Sequence, residues 1–316
     1  MSRMDKLQPI MILLSILVGV GLSTVHVIEN YAGTIVMPAL MLMLYGIFLT
    51  VPFREFISVL HHKRIVFVTL IINFVWTPLL AFGLGWIFLA EQPMLWVGFV
   101  MLMVTPCTDW YLVFTKISKG NIALSSALLP INLLIQLLLL PLYIYVFFDN
   151  YEFVGMFPVV QGVLLVFLIP LLLAGITRLL SRVEYFRFDL KDKAEAIFIK
   201  GNIVFLCIAV IAIFASEASV LMSEIQLVLL MVFPLLIFFA SNFVLGSTLS
   251  RRMKLSHDKK VSLIMVTLAR NSPIALAIAV VAFPEEPVIV LALMIGPLIE
   301  LPILALVARV LMGWRD

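Results

Sequence analysis

Long apolar runs fill almost the whole chain, separated by short polar connections. A helix that crosses a bilayer needs about 20 mostly apolar residues. Ten runs meet that length: 8–26, 32–53, 65–90, 94–118, 121–148, 154–180, 196–217, 224–249, 260–283 and 287–312. No soluble domain of useful size fits between them. The fourth and ninth runs are interrupted. In the fourth, V-T-P-C-T-D-W-Y-L-V-F-T occupies Val104–Thr115. Pro106 removes a backbone donor and clashes with the preceding turn, so a helix cannot run through undisturbed. In the ninth, T-L-A-R-N-S-P occupies Thr267–Pro273 and places an arginine deep in an apolar run. The fifth run carries Pro130, Asn132, Gln136 and Pro141, and the tenth carries Gly296, Pro297, Glu300 and Pro302.

Lysines and arginines fall almost entirely in alternate connections. Arg3 and Lys6 precede the first run. Arg54, Lys63 and Arg64 lie between runs 2 and 3, and Lys116 and Lys119 between 4 and 5. Arg178, Arg182, Arg187, Lys191 and Lys193 lie between 6 and 7; Arg251, Arg252, Lys254, Lys259 and Lys260 lie between 8 and 9; Arg309 and Arg315 close the tenth. The intervening connections hold only acidic charges, from Glu29 to Glu286. Positive charge marks the cytoplasmic side, so both termini are expected there. Lys200 enters the seventh run near its cytoplasmic end, where it can snorkel. Arg270 is too deep for that.

Composition agrees with this pattern. Of 316 residues, 64% are hydrophobic and 12% charged, against about 25% charged in soluble domains. The net charge of +3 follows from the connections and does not suggest nucleic acid. The first run is too long for a signal-peptide core, and no small-residue cleavage site follows, so it reads as a retained helix. Cys107 and Cys207 both lie in apolar runs, which does not suggest a disulfide framework. A Walker motif, a zinc-type cluster and a nucleophile–base pair are all missing from the sequence, so an enzyme or an ATP-driven pump is not expected.

Depth follows from helix rise. At 1.5 Å per residue, ten residues reach about half of a ~30 Å hydrocarbon core. Arg270, Cys107 and Glu300 all fall near the midplane, with Asp109 slightly further inward. A weak repeat links the two halves. Cys107 to Gln136 spans 136 − 107 = 29 residues, and Asn271 to Glu300 spans 300 − 271 = 29, so L-I-Q-L lies over L-I-E-L and Pro106 over Arg270. With five helices per half, such repeats are inverted. Broken helices at the midplane expose backbone groups that need a cavity or a partner. Two of them at related positions point to a secondary transporter's binding site.

The chemistry on offer is specific. Asp109 and Arg270 either pair to lock helices 4 and 9 or face a substrate or proton. Glu300 has no cation near it in sequence, which suits a proton carrier, with a structural hydrogen bond as the alternative. Cys107 follows the helix-breaking proline, and soft metalloid centres prefer sulfur; a packing role is the alternative, and the better reading for Cys207. Asn73, Thr77, Asn132, Gln136 and Asn242 are mid-helix polar residues suited to hydrogen bonds between helices.

These residues resemble the bile acid/arsenite/riboflavin transporter superfamily over nearly the whole chain. The resemblance rests on ten helices, N-F-V-W-T-P-L-L (73–80), K-G-N-I-A-L (119–124) and the interrupted helices 4 and 9. Cys107 and G-P-L-I-E-L-P (296–302) are similar to the arsenite efflux permeases, which implies metalloid recognition by Cys107 and proton exchange by Glu300. Bile acid:sodium symporters use Ser-Asn after the helix 4 break and Glu and Gln before the helix 9 break. Here those places hold Tyr111, Leu112, Val266 and Arg270, so the resemblance implies dismantled sodium sites. T-P-C-T-D-W-Y and Arg270 also depart from the arsenite permeases.

The expectation is an all-α membrane protein of ten helices in two inverted repeats, 1–150 and 151–316, with broken helices 4 and 9 crossing. Helices 3–5 and 8–10 would form the core and helices 1, 2, 6 and 7 the panel against which it moves. Substrate contacts are expected from Cys107, Thr108, Asp109, Arg270, Asn271 and Ser272, with Glu300 and Asp109 coupling protons and Cys107 as metalloid ligand. The expected function is proton-coupled efflux of arsenite or a related trivalent metalloid; the alternative is a sodium symporter-like carrier of a small organic anion. No cofactor is expected. The bilayer of the cell membrane, the small substrate and protons are the expected partners, with a homodimer left open.

Overall fold

A computed structural model describes residues 3–50, 62–108, 110–151, 154–180 and 190–314. Asp109 therefore lies outside the described residues. Among the described residues, thirteen α-helices follow one another: α1 (Arg3–Leu22), α2 (His26–Thr50), α3 (Lys63–Ile71), α4 (Thr77–Phe88), α5 (Pro93–Met103), α6 (Trp110–Ile117), α7 (Ile122–Phe148), α8 (Met156–Leu180), α9 (Leu190–Ser223), α10 (Ile225–Arg252), α11 (His257–Leu268), α12 (Ser272–Ala282) and α13 (Pro287–Gly313). A π-helical turn, Ile72–Trp76, joins α3 to α4. Among the described residues, six helical stretches are long and apolar enough to cross a membrane: Tyr31–Thr50, Lys63–Phe88, Ile122–Phe148, Met156–Leu180, Ile225–Arg252 and Pro287–Gly313. Shorter apolar helices, among them Pro93–Met103 and Ser272–Ala282, accompany them. Leu138, Phe157, Leu229 and Phe233 stand exposed on helix surfaces, as side chains facing lipid do.

Boundaries moved where local chemistry overrode hydropathy. The first apolar run, 8–26, ends early as a helix, at Leu22. The Ser23 and Thr24 hydroxyls donate to Val20 O and Gly21 O, competing with further helical turns. The seventh run is longer than expected, extending through 190–223. Prolines 130, 141, 297 and 302 lie inside unbroken helices.

The chain divides into two compact units. The first comprises 1–51, 157–224 and 277–287. Here α1 and α2 pack along α9. Arg178 Nη2 donates to Phe48 O at 2.8 Å and Leu49 O at 2.9 Å, placing a cation on the negative end of α2. Tyr45 Oη and Thr177 Oγ1 lie 2.8 Å apart.

The second unit comprises 52–156, 225–276 and 288–316. Phe82, Trp96, Phe147 and Phe148 form an aromatic cluster within it. Gly98 lets α5 approach α13 closely, since a Cβ there would lie 2.8 Å from Ile289 O. The π turn follows from Pro78, which has no N–H to offer the carbonyl four residues back. Tyr143 Oη supplies that missing donor to Phe74 O at 2.6 Å. At one end of the unit, Asn121 caps α7 by accepting from Leu124 N at 2.9 Å. Its Nδ2 donates to Asp258 Oδ2 at 3.2 Å and its N–H to Asp258 O at 3.0 Å, joining α7 to the first turn of α11.

Candidate functional site

The two expected interruptions are real, and both lie in the second unit. One separates α5 from α6 and the other α11 from α12. They meet as a single antiparallel bridge between Pro106 and Arg270. Cys107 N–H donates to Ala269 O at 3.0 Å, and Asn271 N–H donates to Thr105 O at 2.8 Å. The two bonds exchange under one shift along the chain, 271 − 107 = 269 − 105 = 164. That is the register in which Pro106 lies over Arg270.

Each break also starts its second half-helix in the same way. Asn271 Oδ1 accepts from Ile274 N at 3.2 Å, capping α12. Cys107 Sγ accepts from Trp110 N at 3.3 Å, the same three-residue step at the start of α6. A side-chain acceptor at that place satisfies an N–H with no intrahelical partner. Both acceptors sit where a helix gathers partial positive charge. Between them, Asn271 Nδ2 donates to Thr108 Oγ1 at 2.9 Å. Cys107, Thr108, Asn271 and Ser272 are all buried.

At the C-terminal ends of the first half-helices the arrangement reverses in sign. Thr105 Oγ1 donates to Met101 O and Leu102 O, each at 3.0 Å, and Thr267 Oγ1 donates to Leu263 O at 2.8 Å. Arg270 takes three further carbonyls at these ends. Its Nη1 donates to Met103 O at 2.9 Å, its Nε to Leu268 O at 3.1 Å, and its Nη2 to Thr267 O and, at 3.4 Å, to Asn73 Oδ1. The guanidinium carbon stands 5.4 Å from the centre of the Phe238 ring, within cation–π range. Arg270 is 1% exposed.

Glu300, 4% exposed on α13, accepts the backbone N–H of Arg270 through Oε1 at 2.8 Å. No cation lies near Glu300 along the sequence, but the fold brings the N–H of a residue thirty positions away against it, a structural hydrogen bond of the kind expected as the alternative to a proton carrier. The two positions matched by the sequence register differ here for a covalent reason. Gln136, which the sequence register pairs with Glu300, has no such N–H to receive, because Pro106 stands where the other half has Arg270. Neither amide atom of Gln136 has a hydrogen-bond partner among the described residues.

The structure thus brings Cys107, Thr108, Arg270, Asn271 and Glu300 to one crossing, with Ser272 opening α12 beside them. Sequence reasoning noted Asn73 only as a mid-helix amide and did not place it against Arg270. The signal was present as T-P at 77–78, which predicts a freed carbonyl at Phe74 and a distorted turn around Asn73. Asn73 Nδ2 reaches Asn132 Oδ1 at 3.5 Å, and Trp76 Nε1 donates to Asn242 Oδ1 at 3.0 Å, so these amides do join helices. Among the described residues, no group of three or more His, Cys, Asp and Glu is set to hold a metal ion.

Apolar helices of spanning length, with two broken ones joined at buried polar breaks, define a multi-pass α-helical membrane protein. The sodium bile acid symporter family matches residues 37–224, more than half of the chain, and the chain belongs to that family. Its relatives include arsenical-resistance protein Acr3 of Corynebacterium glutamicum, 25% identical over 323 aligned residues that cover 96% of this chain and 87% of that protein. Acr3 of Alkaliphilus metalliredigens is 23% identical over 286 residues, 85% of this chain and 78% of its own. An uncharacterized transporter of Synechocystis, slr0944, is 24% identical over 298 residues, 86% of this chain and 76% of its own.

Proposed function

We propose that the protein is a secondary active transporter that carries arsenite, or a related trivalent metalloid, out of the cell in exchange for protons. The observation that carries this reading is the position of the Cys107 sulfur, at the start of a half-helix in the buried crossing whose Arg270 N–H also holds the Glu300 carboxylate. Sulfur is the preferred donor for a soft metalloid. Thr108 and Asn271 supply hydroxyl and amide groups next to it. A carboxylate at the same crossing takes up and releases a proton as its access alternates between the two sides. The names of the two Acr3 relatives support the choice of cargo.

The proposed architecture has ten spans in two inverted repeats, 1–150 and 151–316, with both termini cytoplasmic in the cell membrane. The reciprocal bonds at the two breaks and the alternation of basic connections support it. Helices α3–α7, α10, α11 and α13, which share one compact unit, would carry the substrate. Asp109 keeps its place in the proposal as a substrate or proton group on sequence grounds alone.

Expression in an arsenite-sensitive strain tests the cargo. The protein should confer tolerance, and Cys107→Ser should abolish it. A serine hydroxyl can still accept the Trp110 N–H, so the helix start is kept while the soft donor is lost. Full efflux by the serine variant refutes the thiol reading. The family name points instead to uptake of an organic anion, with Arg270 as counter-charge. Four hydrogen bonds already occupy that guanidinium. Loss of organic-anion uptake in Arg270→Ala, with arsenite tolerance intact, would favour that rival.

A further inference from the structure

We infer that the Arg270 guanidinium is a tethered cation that closes the helix crossing, filling a four-oxygen cation site built by three helix-end carbonyls and the Asn73 amide oxygen. The last carbonyls of a helix have no intrahelical partner and concentrate partial negative charge. At this crossing two such ends converge. Met103 O belongs to the last residue of α5, and Thr267 O and Leu268 O belong to the last two of α11. All three point at one guanidinium, and Asn73 Oδ1 from the π turn is the fourth oxygen. Hydroxyls or backbone N–H groups satisfy the neighbouring carbonyls of both ends, as at Val100, Met101, Leu102, Leu263 and Met265. Among the described residues, the three that Arg270 takes receive no other donor from either helix. Its backbone adds a further tie, because the Arg270 N–H anchors Glu300.

A buried cluster of carbonyls without a cation would be costly, since water cannot reach it to solvate them. The chain resolves this with a charge that is covalently attached and, in a protein, always protonated. A tethered cation cannot enter and leave with each cycle. Arg270 is therefore a positioning residue, which fixes the crossing without recruiting an ion from solution. The inference stands whatever the cargo is, because it concerns only the oxygens around the guanidinium.

Thermal unfolding of purified protein in detergent tests it without any transport assay. Arg270→Ala should melt lower by roughly 10 °C, the scale expected when one partner of a buried charged network is removed. Millimolar guanidinium should restore most of that loss in a saturable manner. Tetramethylammonium, which has no N–H and is bulkier, should not. The wild-type protein should respond to neither at these concentrations. Arg270→Lys and Arg270→Gln supply the second comparison if the alanine variant does not fold. Lysine keeps a cation among the four oxygens and should melt closer to wild type, while glutamine should melt lower and gain from added guanidinium. Two results overturn the inference. One is a folded Arg270→Ala protein that melts like wild type or gains nothing saturable from guanidinium. The other is a glutamine variant at least as stable as the lysine variant.

Discussion

Three side chains at the crossing act through opposite signs of the same helix electrostatics. Acceptors stand at half-helix starts, as Cys107 and Asn271 do, and a cation stands at half-helix ends. Glu300 completes the pattern, since it accepts the N–H just ahead of the Asn271 cap. This geometry makes Glu300→Gln an informative substitution. The glutamine carbonyl can still receive the Arg270 N–H, so the crossing should assemble and melt within a few degrees of wild type. The exchangeable proton is gone, so in proteoliposomes the response of transport to an imposed pH gradient should disappear. A pH-driven response that survives in the glutamine variant would remove Glu300 as the proton carrier.

At the scale of elements, the sequence places prolines in many helices but only some of them break. Pro106 coincides with a true interruption, because Thr105, Cys107 and Asn271 provide the partners that a broken backbone needs. Pro78 produces a π turn whose freed carbonyl depends on Tyr143. Tyr143→Phe should leave Phe74 O without that donor and cost about 1–3 kcal/mol, the usual penalty for an unsatisfied buried polar group. The melting temperature should fall by a few degrees, and an unchanged value would show that the π turn does not rely on the phenol. The joint between α7 and α11 carries a pH signature. Burial works against the Asp258 charge, yet hydrogen bonds from Ser256, Asn121 and two backbone N–H groups hold its carboxyl below the usual 3.8. A group depressed in the folded state stabilises above its unfolded value and loses that contribution as pH falls through the folded one. Melting measured downward from pH 5 should therefore steepen in wild type and be flatter in Asp258→Asn. Parallel curves would show that the joint does not depend on this charge.

For the whole molecule, the fixed guanidinium bears on the driving ion. A Na⁺ about 5 Å from it, at an effective dielectric of about 20, would feel roughly 3 kcal/mol of repulsion, enough to weaken a site about 100-fold. Transport by the wild-type protein should be unchanged when choline replaces Na⁺ at constant pH. Activity that scales with external Na⁺ would show that a sodium site survives elsewhere in the fold. A cysteine-accessibility map should place both termini on the cytoplasmic side. Termini on opposite sides would reject the proposed arrangement of two five-helix halves.

The apolar runs by themselves determined that this chain is a helical membrane protein, because the length and hydropathy needed to cross a bilayer are written locally. The two breaks were legible for the same reason. A proline and an arginine inside apolar runs violate the local rule, and such violations need a cause. The 29-residue spacing even fixed the register in which Pro106 and Arg270 pair. Partnership, in contrast, was decided only by the tertiary structure. Nothing near Glu300 in sequence announces the Arg270 N–H, and nothing near Arg270 announces Met103 O or Asn73 Oδ1. Those atoms lie far apart along the chain and meet because two helix ends with unsatisfied carbonyls must be brought to one charge. Burial raises the cost of leaving them unpaired, so the fold, and not the local sequence, selects which groups answer one another.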